Sequence, residues 1–380
     1  MNFEPVTLSE KDKDLREEVR SFLIEHKCFL TNSSAIDPWF ACVPEFSRLL
    51  GAKGWIGMTF PKQYGGAERS YLERYVVIEE LLAAGAPVGA HWFADRQIGP
   101  LLLRFGTEEQ KNHFLPQIIR GECFFSIGMS EPDSGSDLAS IRTKGQRVKG
   151  GWEINGQKTW TSFAQNSRYM VLLCKTAAKS EDRHEGMSQF IIDLESEGIT
   201  RRPIQNLAGE EHFYEVFFEN VFVPEDRLLG SEGNGWNQVM AELAFERSGP
   251  ERFLSNFQLL DEAVDVMRSS ISRESTKQVI GQLVARLMVL RQMSLSVACQ
   301  LQSGALPVTE ATIVKDLGTS FEQEMADCLR MHLLVEPGEY AAERIGQLLS
   351  GSILKSPSFS LRGGTREILR GILAKGLGLR

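Results

Sequence analysis

What the chain lacks narrows its chemistry first. Its six cysteines (Cys28, Cys42, Cys123, Cys174, Cys299 and Cys328) form no C-x-x-C pair. Neither they nor the six histidines fall at metal-ligand spacing, so no metal site is expected and the cysteines read as buried thiols in a reducing compartment. Positive charge is in deficit: 42 Lys and Arg against 50 Asp and Glu leave a net charge of −8, with no basic footprint for nucleic acid. No uninterrupted apolar run reaches the ~18 residues of a membrane-spanning helix, so no membrane partner is expected. Glu10, Asp12 and Asp14 oppose a basic-plus-apolar leader, and the expected location is cytoplasmic. No G-x-G-x-x-G opens a helix, which argues against a Rossmann dinucleotide site. Gly151-x4-Gly156-Gln157-Lys158-Thr159 imitates a phosphate-binding loop, but it carries an extra residue before the lysine and sits in an expected hairpin. Internal repeats and low-complexity tracts are absent.

What remains is an ordinary globular composition over 380 residues, 42% apolar and 24% charged, enough for two or three domains. Residues 1–122 read as helical. Leu15, Val19, Phe22 and Leu23 form one stripe behind a Ser9 cap. Ser70-x-x-Glu73 and Thr107-x-x-Gln110 fit capping boxes, Gly85 and Gly121 are helix stops, and Pro116 demands a kink or restart. Residues 123–231 alternate as strands at 124–129, 139–148, 152–154, 158–162, 168–174, 188–193 and 214–223. Residues 232–380 return to the helical period, with segments near 236–270, 275–302, 309–334 and 365–375. Their several apolar faces, such as Ile280, Leu283, Leu287 and Leu290, suggest a bundle with buried subunit contacts. The fold class is α+β.

The most informative stretch runs from Phe124 to Ser162. A β-prone run, Phe124 to Met129, meets a turn at Ser130-Glu131-Pro132-Asp133-Ser134-Gly135-Ser136-Asp137, where small residues leave amides free for a ligand. Asn155-Gly156 between Trp152/Ile154 and Lys158/Trp160 reads as a hairpin turn that brings Trp160 and Ser162 near that first turn. An aromatic slab, small hydroxyls and bare amides suit a planar, hydrogen-bonding cofactor; periodicity alone fits a hairpin with a core tryptophan equally well.

The order of these motifs resembles the acyl-CoA dehydrogenase family. The resemblance rests on Ser130-Glu131-Pro132-x-Ser134-Gly135-Ser136-Asp137 followed by Gly156-x-Lys158-x-Trp160-x-Ser162. Gly54-Trp55-Ile56-Gly57 with Pro61-Lys62-x-Tyr64-Gly65-Gly66 matches its N-terminal loop. Phe218-x-x-Val221-x-Val223-Pro224, Leu229-Gly230 and Gly233-x-Gly235-Trp236 match the exit of its middle domain. Gly363-Gly364-Thr365-x-Glu367-Ile368 matches its C-terminal flavin loop.

The resemblance implies an N-terminal helical domain, a middle β-barrel-like domain and a C-terminal four-helix bundle. It implies FAD held by Ile127, Met129, Ser130, Gly135, Ser136, Trp160, Thr161, Ser162, Thr365 and Glu367, with Ser136 and Arg247 near substrate. The implied reaction removes two hydrogens across Cα–Cβ of an acyl-CoA to give the 2,3-enoyl thioester, the hydride going to the flavin. A carrier-protein thioester is the other form of substrate left open. Many members carry the catalytic glutamate where this chain has Gly363, preceded by Arg362. Gly363 retains a backbone N–H for the thioester carbonyl. A subgroup, resembling a divergent bacterial branch, carries the base instead as Glu-Arg on the first long C-terminal helix. Phe245-Glu246-Arg247 matches it, and Glu246 is the expected base. A solvated ion pair with Arg247 or Arg252, next to a kink at Ser248-Gly249-Pro250-Glu251, is the alternative reading.

Two family features are missing. The adenosine-clasping R-x-x-F-G is replaced by Arg268-Ser269-Ser270-Ile271-Ser272, and no Q-x-x-G-G turn occurs near Met331–Tyr340. The expected assembly is a homodimer, a tetramer or a heteromer with a related chain. Electron-transferring flavoprotein is the acceptor the family implies. A flavin oxidase or monooxygenase of the same fold, and a catalytically silent partner subunit, are the alternatives. His91-Trp92-Phe93 are candidates for lining the acyl pocket.

Overall fold

The computed structural model describes residues 2–177, 182–246, 249–269, 274–333 and 344–379, with side chains described except at 242–246 and 269. Helices fill the chain up to Ile119, strands run from Phe125 to Leu229, and helices return from Gly235. By its internal contacts the chain forms two units, one of residues 42–68 and 89–245, the other of 1–41, 69–88 and 246–380.

The first unit is built on eight strands: β1 (Phe125–Gly128), β2 (Lys144–Val148), β3 (Gly151–Ser162), β4 (Tyr169–Lys175), β5 (Met187–Asp193), β6 (Ile199–Ile204), β7 (Phe213–Pro224) and β8 (Leu228–Leu229). They pair in the order β6-β7-β3-β2-β4-β5-β8, with β1 parallel to β4. Every residue of β5 but Asp193 is buried, as is the interior of β4, which explains their near-continuous apolar runs. Trp152, Ile154, Val221 and Val223 put alternate residues of β3 and β7 into a core shared with Met170, Leu172, Phe190 and Ile192.

The expected turn at Asn155-Gly156 is overturned. β3 runs unbroken through both residues, and the chain reverses instead at Lys149-Gly150 between β2 and β3. The cause is the partner strand: β7 pairs with β3 on both sides of Asn155, and the pair leaves only a register shift between Ile154 and Gly156. Asn155 Oδ1 accepts the Asn220 N–H at 2.8 Å, which spends the turn-forming side chain on the neighbouring strand. Gly156 sits at φ 150°, and a Cβ there would lie 2.7 Å from Thr143 Cα. The expected strand 139–148 is likewise shortened: Leu138–Ser140 is a 3-10 turn and β2 starts at Lys144. Arg201-Arg202-Pro203 in β6 carries little apolar alternation, so that strand was invisible to periodicity.

In the second unit the expected Ser9 cap is present, completed to a capping box by Asp12, and so is the expected Ser70/Glu73 box; the Thr107/Gln110 box is present in the first unit. Gly85 and Gly121 end their helices at φ 71° and 68°. Helix Glu108–Ile119 runs through Pro116 without a restart, because Pro116 O still accepts from Arg120 N at 3.2 Å. Glu79 ties distant segments of the second unit together. It pairs with Arg16 of helix Glu10–Glu25 at 3.1 Å and with Arg291 of helix Glu274–Gln302 at 2.7 Å. The expected helix 236–270 is two helices, Gly235–Glu246 and Phe257–Ser269, with a 3-10 turn at Pro250–Arg252 between them. Proline lacks the N–H that helix continuation needs. Helix Arg344–Phe359 lies beyond the expected set.

Only Cys123 and Cys174 are buried; Cys28 is exposed and the other three are half-buried, which corrects the reading of all six as buried thiols. No helix among the described residues is long and apolar enough to cross a membrane. Gly156→Ala is expected to lower unfolding stability by about 1–3 kcal/mol, since backbone must move to admit the methyl group. Gly135→Ala, whose Cβ would meet nothing within 4 Å, should stay within about 0.5 kcal/mol. Urea unfolding of the two variants checks this contrast.

Candidate active site

The turn after β1 and the end of β3 are locked to each other by a buried ion pair. Lys158 Nζ donates to Glu131 Oε1 at 2.8 Å and to Met129 O at 2.9 Å, and neither side chain is more than 6% exposed. The Glu131 carboxylate also accepts the Thr143 N–H at 2.9 Å. Thr159 N–H donates to Ser130 O at 2.9 Å, so the carbonyls of Met129 and Ser130 are both engaged by β3. Glu131 and Ser134 close the turn with reciprocal backbone bonds of 2.9 and 3.0 Å. Burial pushes the Glu131 carboxyl up, but the Lys158 charge and the donated hydrogen bonds outweigh it and hold the group below the usual carboxylate range. Sequence reasoning assigned neither Glu131 nor Lys158 a role; the signal was a lone acid and a lone lysine inside two matching signatures.

The lock presents Trp160. A register shift between Lys158 and Thr161 lifts the indole out of the β3–β7 ladder at φ 58°, a conformation strained for a bulky residue. Trp160 is 58% exposed, with Phe213 set edge-on at 5.7 Å, so it is not a core tryptophan. Thr161 next to it is buried, and its Oγ1 has no hydrogen-bond partner among the described residues. Ser162 is half-buried, in register with Phe213. Ile127, Met129 and Ser130 are half-buried along the same edge of chain, and Gly135 and Ser136 are exposed at the turn. A presented indole, an orphaned hydroxyl and a rigid polar turn fit the face and polar edge of a flavin ring.

The remaining expected residues lie elsewhere in the chain. Gly363 and Gly364 form a turn with φ 67° and 97°, and Thr365 caps helix Arg366–Gly376. Glu367 is exposed in the first turn of that helix, and its own backbone N–H and the Thr365 hydroxyl hold its carboxyl low. Glu246 is the last residue of helix Gly235–Glu246; its side chain, like that of Glu242, lies outside the described residues, as does Arg247. The stretch Ser270–Ser272 and residues 334–340, where family motifs are missing, also lie outside them. His91 and Trp92 are buried: the His91 ring bonds Ser47 Oγ at 2.8 Å, and Trp92 carries the Arg96 guanidinium at 5.1 Å. Phe93 is half-buried and faces Phe163 at 6.3 Å.

Helices, strands and helices thus follow one another along the chain, with Trp160 presented from the strand region. Residues 9–122 match the acyl-CoA dehydrogenase N-terminal domain and residues 126–221 the acyl-CoA dehydrogenase middle domain. Acyl-CoA dehydrogenase FadE26 of Mycobacterium tuberculosis is 31% identical over 342 residues, covering 85% of this chain and 84% of that protein. The match to FadE34 of the same organism is 30% identical and covers 89% of this chain; the chain spans about half of that longer relative, 46% of its length. Among solved structures, the Tcur3481-Tcur3483 steroid ACAD superposes with TM-score 0.89 at 27% identity over 100% of both chains. The ChsE4-ChsE5 complex from Mycobacterium tuberculosis superposes with TM-score 0.86 at 28% identity, over 99% of this chain and 100% of that one. The chain belongs to the acyl-CoA dehydrogenase family.

The ion pair yields a prediction with a definite sign. Lys158→Met strands the buried Glu131 carboxylate and should cost about 3–5 kcal/mol at neutral pH. Without its cation the carboxyl titrates above its unfolded value, so protonation favours the variant's folded state and the deficit narrows as pH falls toward about 4. In the wild type the sign is opposite: the contribution is fully present above the unfolded value and is lost as pH falls from there through the lower folded pKa. Thermal unfolding of both proteins from about pH 8 down to about pH 2 measures the opposite trends.

Proposed function

We propose that this chain is an FAD-dependent acyl-CoA dehydrogenase that converts an acyl thioester to its 2,3-enoyl product. The observation that carries the reading is Trp160, exposed and strained beside a turn locked by a buried ion pair. Met129, Ser130, Thr161 and Ser162 would bind the polar edge of the flavin, with Trp160 along its face; Ile127, Gly135, Ser136, Thr365 and Glu367 complete the binding set. When bound, the flavin supplies the hydride acceptor.

The protein's own part is proton transfer and carbonyl polarisation. The Gly363 N–H stabilises negative charge on the thioester oxygen, which acidifies Cα. Glu246 takes the α-proton, since glycine at position 363 offers no base. Arg247 and Ser136 are assigned to substrate. A bulky acyl group, of the kind named in the steroid ACAD neighbour, is favoured by Gly363 standing where many members carry an acid and by the helix break after Glu246. A heteromer with a related chain is favoured by the two paired neighbours and by the missing adenosine clasp. Electron-transferring flavoprotein is the proposed acceptor.

Glu246→Gln keeps shape and removes basicity, so flavin content should persist while turnover with a dye acceptor falls at least ~10²–10⁴-fold. Glu242→Gln is the control and should retain most activity. Wild-type rates in Glu246→Gln would remove Glu246 from the reaction. Substrate-dependent oxygen uptake would reassign the protein as an oxidase, and a colourless chain that refuses FAD even beside a sister chain would make it a silent subunit. Trp160→Ala should lower flavin retention more than it lowers the melting temperature; unchanged flavin content would confine Trp160 to packing.

A further inference from the structure

The turn that bears Gly363 is held from below by buried charge. Arg362 precedes it, with a side chain only 11% exposed. Its guanidinium stacks on Trp39 at 4.1 Å and on Phe359 at 4.6 Å. Its Nη2 donates to Ser255 Oγ at 2.6 Å and lies 3.4 Å from Glu322 Oε2, while Nη1 lies 3.7 Å from Asp37 Oδ2. Glu322 is fully buried in helix Val308–Leu333, and its other oxygen accepts the Ser255 N–H at 2.7 Å. From the same helix the fully buried Lys315 donates to Gly364 O at 2.5 Å. Two buried cations thus grip the residues on either side of Gly363.

Such an arrangement needs a reason beyond stability. Burying charges is costly, and a hydrophobic replacement of similar volume is often neutral or better. Burial pushes the Glu322 carboxyl up to about 7, with the Arg362 charge pulling against it. Gly363 and Gly364 both sit at left-handed φ, where glycine has no steric preference of its own to fix the turn. The direction of the Gly363 N–H therefore depends on what clamps its neighbours.

We propose that Arg362, braced by Glu322, Asp37 and Ser255, acts with Lys315 as a pair of positioning residues that aim the Gly363 N–H at the substrate's thioester oxygen. This rests on the role given to Gly363 above. Neither side chain touches substrate in this scheme; both act through the backbone of the turn. A misplacement of the donor by about 1 Å is enough for a roughly 10²-fold loss.

The test uses the flavin-loaded protein and an enoyl-CoA labelled with 13C at the thioester carbonyl. The enoyl-CoA is chosen as the product of whichever straight-chain, branched or steroid-side-chain acyl-CoA reduces the wild type. Isotope-edited infrared difference spectra read how far binding lowers the carbonyl frequency. Wild type should show a clear downshift. Arg362→Gln and Lys315→Met should each lose about half of it or more, with kcat about 10- to 100-fold lower and KM changed far less. Arg362→Lys should recover part of both. Glu322→Gln, close to isosteric, should move the carbonyl in the same direction and serves if Arg362→Gln does not fold. A full downshift in Lys315→Met and Glu322→Gln, with flavin content intact, overturns the proposal while leaving the role of Gly363 standing. No downshift in wild type overturns that role and this proposal together.

Discussion

The contact between Lys158 and Glu131 is what the turn after β1 and the end of β3 depend on. Two charges removed from water are tolerable only when each meets the other and every remaining polar valence is filled. Here the lysine is shared with Met129 O, and the carboxylate with the backbone of Thr143. Because the partners sit on separate segments, satisfying them fixes the turn after β1 against the end of β3. The polar edge and the aromatic slab are thereby set as one rigid piece, which is what a planar cofactor requires if its ring is to be held without further rearrangement.

The second unit solves the same problem with the same device. There Lys315 donates to the Gly364 carbonyl, and Arg362 lies among the acids Asp37, Glu251 and Glu322, with Arg252 a further buried cation over Trp39 at 5.3 Å. In both units a backbone turn is carried by buried charged side chains. Buried charge is a poor source of stability but a good source of uniqueness, because few alternative arrangements satisfy it.

Much of this was legible from residues whose effect is local. Ser9, Ser70 and Thr107 cap the helices they announce, since a side-chain oxygen three residues from its backbone target needs no distant partner. The meeting of the Ser130 turn with the end of β3 was legible from motif order, though not the route by which the chain achieves it. What failed was what depends on a partner strand or helix. Asn155-Gly156 makes a turn in isolation, yet β7 pairs across it and converts it to an irregularity. Pro250 divides the expected helix because its missing N–H coincides with a buried 3-10 turn. Nothing in the sequence marked Glu131, Lys158 and Arg362 as buried, since single-residue identity carries no record of burial.

The unit containing Arg362 is assembled from residues 1–41, 69–88 and 246–380, and Glu79 bridges the first and last of these through Arg16 and Arg291. Arg16 of helix Glu10–Glu25 meets Glu79 as soon as helix Tyr71–Ala83 has followed it, whereas Arg291 of helix Glu274–Gln302 is synthesised 212 residues after Glu79. At a synthesis rate of about 5–20 residues per second, the delay is on the order of ten seconds or more. Through that interval helix Glu10–Glu25 has helix Tyr71–Ala83 as its neighbour, while Phe253, Leu254 and Leu287, which line a cavity with Leu23, are still to come. The Arg291 half of the Glu79 bridge therefore forms last, once a long stretch of chain has closed into a loop.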